Sequence, residues 1–94
     1  MAYELKLSAL WKAQGWKVKI RDKERAEPPH VTIMRGTRAW RINLRTRQFM
    51  DSEPDPNELP KAIVSEVMGQ MQTLAAKWDE MYPHNPVFSE ADNE

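Results

Sequence analysis

The pattern that most restricts this chain runs from Glu58 to Tyr82. Its apolar residues are Leu59, Ile63, Val67, Met71, Leu74, Trp78 and Met81, at steps of 4, 4, 4, 3, 4 and 3. That is the spacing of one face of an α-helix. Ala62, Met68, Ala75 and Tyr82 widen the stripe, while Glu66, Gln70, Gln72, Thr73, Lys77, Asp79 and Glu80 fall mostly off it. So broad an apolar side must be covered, and the only other sizeable apolar surface lies in the first half of the chain. The expectation is a domain of two layers.

That first half supplies strands. Trp16, Val18 and Ile20 alternate with Lys17, Lys19 and Arg21, the period of a half-buried strand over Trp16–Asp22. Pro28 and Pro29 force extended backbone ahead of a second strand, His30–Met34. Gly36 marks a turn, and Arg38–Arg45 reads as a third strand with Trp40, Ile42 and Leu44 on one side. Phe49 and Met50 either begin a further short strand or tuck under the core. Before these strands, Tyr3–Ala13 is expected to be a short helix ended by Gly15, although Leu5 and Leu7 also alternate like a strand. Asp55, Pro56 and Glu58 have the pattern of an N-cap, an N1 proline and a capping-box partner. Pro60 conflicts with one unbroken helix and allows a regular helix to start there after a single turn.

The expected fold is therefore α+β, in the order α-β-β-β-α. An antiparallel three-stranded sheet packs against a long C-terminal helix within one domain over residues 1–83. Residues 84–94 are polar and acidic and are expected to be a disordered tail. A helix of 25 residues, about 37 Å long, overshoots strands of about 23 Å. Trp78, Met81 and Tyr82 then need a cover. Leu10 and Trp11 of the first helix, or the partner in a homodimer, are the two candidates.

The 94 residues carry no net charge, but the charge is divided. Residues 1–50 hold 12 Lys or Arg against 4 Asp or Glu, and residues 51–94 hold 2 against 10, so the halves carry +8 and −8. Such a division suggests either a basic binding surface or two halves that neutralise each other. The side of the sheet away from the helix should display Lys17, Lys19 and Arg21 beside Thr32 and Met34, then Arg41, Asn43 and Arg45, with Lys23 and Arg47 extending it. Cations on adjacent strands suit a phosphate backbone. Lys17, Lys19, Arg21, Arg41 and Arg45 are accordingly the candidate nucleic-acid-binding residues, on a face that also suits a protein partner; the alternative to binding is a solvated face neutralised by the acidic connector and tail. No aromatic residue falls on this side, which excludes a base-stacking platform and leaves backbone or duplex recognition.

His30, at the entry to the second strand, is a weak candidate for a catalytic general base; its other reading is a strand-edge histidine hydrogen-bonded to the loop. Two histidines and no cysteine make a metal site improbable, and no phosphate-cradling loop or nucleophile elbow is present, so no cofactor is expected. The methionines of the helix stripe suit core packing or an adaptable partner surface. No apolar run approaches the roughly 20 residues of a membrane span. Glu4 and Lys6 interrupt the N-terminal apolar pattern, which argues against a secretory signal. With no cysteine, the composition fits a reducing cytoplasm.

Residues 27–44, Glu-Pro-Pro-His-Val-Thr-Ile-Met-Arg-Gly-Thr-Arg-Ala-Trp-Arg-Ile-Asn-Leu, resemble a family of small bacterial proteins of unknown function. That family carries a Glu-Pro-Pro-His-Val-His-Val signature, then a glycine turn, a strand and a helix with a Trp near its end, here Trp78. The resemblance covers roughly residues 25–82, and the family's second histidine is Thr32 here. It implies a gene setting like that of toxin–antitoxin pairs, without an activity. The element order, with Gly15 and Trp16 opening the first strand, is also similar to HicA-type toxins. Those are double-stranded-RNA-binding-like domains that cleave mRNA with a histidine at the start of a central strand. His30 falls in that place, with Pro28-Pro29 where those toxins have Gly-Ser. The likeness implies a ribonuclease using His30 as an alternative to a binding module.

Overall fold

The computed structural model describes residues 2–21 and 27–87. Four strands form an antiparallel meander in the order β1 (Tyr3–Glu4), β2 (Trp16–Ile20), β3 (His30–Arg35), β4 (Arg38–Asn43). A short helix α1 (Ala9–Ala13) lies between β1 and β2. After β4 come a 3₁₀ turn over Pro56–Glu58 and the helices α2 (Lys61–Met68) and α3 (Met71–Met81). The architecture is α+β, as expected, with two corrections to its parts.

The first correction is the fourth strand. The chain expected to be helical over Tyr3–Ala13 opens as β1, with Tyr3 opposite Ile20 and Glu4 opposite Lys19, and Leu5 N–H continues the ladder to Val18 O at 2.8 Å. Leu5 and Leu7 are both buried, so the alternation prevails over the helical spacing. Only Ala9–Ala13 is helical, and Gly15 beyond it has φ +89°. Leu10, expected to cover the end of the last helix, is 62 % exposed.

The second is the C-terminal helix, which is two helices. The capping box forms: the Asp55 side chain accepts from Asn57 N–H at 2.9 Å, and Asp55 N–H donates to Glu58 at 3.2 Å. It caps only the 3₁₀ turn, and α2 starts after Pro60. A further break falls at Gly69 and Gln70, where Gln70 N–H bonds to Val67 O, three residues back, at 2.9 Å. The apolar stripe runs through both breaks. Leu59, Ile63, Val67, Met71, Leu74 and Trp78 are all buried, in one core with Val18, Ile20, Val31, Ile33, Ile42 and Leu44 of the sheet side of the molecule.

Trp78, Met81 and Tyr82 find their cover within the chain. Trp78 is fully buried, 5.7 Å from the His30 ring and 4.3 Å from the Tyr82 ring. Its Nε1 donates to Asn85 O at 2.6 Å, and the Tyr82 hydroxyl donates to Arg21 O. Met81 is half-buried. Of the segment expected as a tail, residues 84–87 fold back on the domain and Val87 is fully buried; residues 88–94 lie outside the described residues.

Candidate nucleic-acid interface

The β-ladder decides which cations share a surface. Lys17 pairs with Met34, and Met34 with Ala39; Lys19 pairs with Thr32, and Thr32 with Arg41. Alternation puts Lys17, Lys19 and Arg41 on the face opposite Val18, Ile33 and Trp40, which belong to the core. Lys17 is exposed and Lys19 half-buried. Arg21, one residue past β2, is exposed. Arg45 is not on the strand: β4 ends at Asn43, and Arg45 lies in the turn that follows. Lys23 lies outside the described residues, and Arg47 is exposed in the same turn with φ 61°.

Electrostatics separates the five candidates further. The Arg41 guanidinium grips Asp51 through Nε and Nη2, both at 2.8 Å, and lies 3.4 Å from Glu27. Those hydrogen bonds hold the Asp51 carboxyl below its ordinary range, against the opposing effect of burial, with the positive charge of Arg41 adding to them. Arg45 ties down the C-terminal segment: Nε donates to Val87 O and Nη2 to Pro86 O, each at 2.7 Å, and Nη2 also reaches Asn85 Oδ1 at 3.3 Å. Both arginines are engaged inside the protein. Lys19 has Glu4 at 3.8 Å, an exposed pair of the kind worth about 0–1 kcal/mol. Lys17 and Arg21 have no acidic partner among the described residues. The accessible cationic strip is therefore Lys17, Lys19 and Arg21, on one strand and its continuation.

The division of charge between the halves thus has two outcomes. Arg41 with Asp51, and Arg38 with Glu58 at 2.7 Å, are pairs across the halves. The β2 cations have no counterpart in the acidic half among the described residues. Asp51 and Glu27 were not legible as partners of Arg41. The one signal for Asp51 was the apolar pair before it. Phe49 bridges Ile42, and Met50 N–H bonds to Arg41 O at 2.9 Å, which places Asp51 at the edge of the sheet.

His30 opens β3 as expected, but its side chain is fully buried. Nδ1 stands 2.9 Å from Pro28 O, and a carbonyl only accepts, so Nδ1 carries the proton. Nε2 faces Glu27 Oε2 at 3.5 Å. The ring packs on Trp78, with no exposed edge to meet a phosphodiester. His84 is exposed after α3. Among the described residues there is no group of three His, Cys, Asp or Glu able to hold a metal ion, and no helix long and apolar enough to cross a membrane. Comparisons with protein-family models, with curated proteins and with solved structures found no match, so they add nothing to either resemblance.

Proposed function

We propose that this chain is a small binding module that takes up a polyanion, nucleic acid in the first instance, on the strip Lys17, Lys19 and Arg21. The observation that carries the reading is the β2–β3 register, which sets Lys17 and Lys19 opposite Met34 and Thr32 rather than opposite acids. From Lys17 to Arg21 the extended chain covers about 13 Å, about the axial rise of four nucleotides along one strand of a duplex. Among the described residues no ring lies over these cations, so contact is to the backbone and depends on shape rather than on base identity. Arg41 and Arg45 are excluded from the contact set because releasing either would strand Asp51 or the 85–87 segment.

The alternatives have less support. A ribonuclease needs His30 at the surface, and a homodimer through Trp78, Met81 and Tyr82 needs side chains that are mostly packed within one chain. A bacterial toxin–antitoxin-like setting, implied by the resemblance at residues 27–44, is compatible with a polyanion-binding partner. Fluorescence anisotropy of a labelled RNA duplex at low salt tests the proposal. The parent chain should bind, and the Lys17→Ala/Lys19→Ala/Arg21→Ala variant should not, at an unchanged melting temperature. Equal binding by the two proteins would remove the strip from the account.

A further inference from the structure

At the β3–β4 hairpin end, on the core side of the sheet, lies a second constellation. Arg35 is opposite Trp16 on one neighbour strand and Arg38 on the other. The Arg35 guanidinium lies over the Trp16 ring, 5.4 Å from its centroid, and that of Arg38 over Trp40 at 5.6 Å. The two indoles are 5.8 Å apart. With Glu58 these four side chains line a cleft of about 170 Å³.

The two indoles differ in one respect. Trp40 Nε1 donates to Asp55 O at 3.1 Å. Trp16 is 5 % exposed, and its buried Nε1 has no acceptor among the described residues. A buried N–H without a partner calls for an explanation, because native interiors rarely leave one. The charge in the cleft is also unbalanced. Glu58 takes Arg38, with Nη2 at 2.7 and 2.8 Å from its two oxygens. Among the described residues Arg35 spends only Nε, on Gln14 O at 3.1 Å. Two guanidinium groups and one carboxylate leave a single positive charge.

We propose that this cleft binds one carboxylate group. Arg35 supplies the charge and its terminal N–H groups, Trp16 Nε1 donates the missing hydrogen bond, and the indole faces exclude water. A volume near 170 Å³ is below the roughly 300 Å³ at which a pocket takes a whole drug-sized molecule, so the occupant is a small carboxylate or the carboxylate end of a peptide chain. Arg35 is exposed and, among the described residues, held by one hydrogen bond, so its guanidinium is free to turn from the Trp16 ring toward the anion. The site is on the other side of the sheet from Lys17 and Lys19 and does not depend on the polyanion proposal.

Indole N–H resonances of the full chain report directly. The protein has four tryptophans, and Trp16→Phe, which keeps a ring and removes the donor, identifies the Trp16 signal. Acetate and an N-acetylated neutral peptide with a free C-terminus are titrated at constant ionic strength, against the C-terminal amide of that peptide and sodium chloride. The Trp16 signal should shift saturably with the two carboxylates and not with the controls, and Arg35→Ala should weaken the response by about tenfold or more. The Lys17→Ala/Lys19→Ala/Arg21→Ala variant should respond like the parent. Tighter binding of the peptide than of acetate assigns the site to chain ends, and equal binding assigns it to small carboxylates. No saturable shift, a shift shared with chloride or the amide, or one indifferent to Arg35→Ala overturns the assignment.

Discussion

Asp51 is where a single side chain decides how the sheet's outer face behaves. Its carboxyl takes two guanidinium bonds from Arg41 and titrates below the ordinary aspartate value of 3.8. A carboxylate depressed in the folded state adds stability that is complete above the unfolded value and is lost as the pH falls through the folded one. Urea unfolding of the parent should therefore become markedly easier as the pH drops below that ordinary value, and Asp51→Asn should flatten that acid limb while costing about 1 kcal/mol at neutral pH. An identical acid limb in the two proteins would mean that the Arg41 clamp is not what depresses Asp51. Arg41 itself was legible as a strand cation, but its engagement was not. Sequence alternation gives the side of a strand, whereas the partner comes from a connector ten residues further on.

At the level of elements, the helical stripe was readable because its apolar steps continue without interruption. For the same reason its breaks were not. Val67 to Met71 is a step of four whether or not the helix is continuous, so periodicity is blind to the turn at Gly69 and Gln70. Pro60 was a visible breaker, and α2 does begin just after it; Gly69 was a second and weaker one. Gly69 has φ −66°, and a Cβ there would stand 3.5 Å from the Ser65 and Glu66 carbonyl oxygens, an ordinary contact. Gly69→Ala should accordingly stabilise the fold by about 0.4–1 kcal/mol by restricting the unfolded chain, read as a rise in melting temperature. A fall would show that the bend requires glycine. The N-terminal segment illustrates the opposite ambiguity. Tyr3, Leu7, Leu10 and Trp11 fit a helix, Leu5 and Leu7 fit a strand, and the free edge of β2 decides in favour of pairing.

The whole molecule is closed by contacts between distant parts of the chain that no local pattern announces. Arg45 holds the carbonyls of Pro86 and Val87, Asn85 O receives Trp78 Nε1, and Asp79 receives Val87 N–H at 2.8 Å. Acidic composition suggested a tail from residue 84; buried Val87 moves the packed limit to at least that residue. Arg45→Ala should cost about 2 kcal/mol, the order of a hydrogen bond to a charged group, and should speed amide exchange at Val87. A silent substitution would show that the clamp contributes nothing. With Arg45 and Arg41 held by contacts within the chain, the proposed strip is the three cations of β2 and its continuation, and this sets the most direct test of the account. The slope of log K against log salt for an RNA duplex should be about −2 to −3, close to −0.9 per phosphate neutralised. It should become shallower by about 1 with each of Lys17→Ala, Lys19→Ala and Arg21→Ala and stay unchanged in Arg45→Ala. No binding at low salt, or a slope near zero, would contradict it.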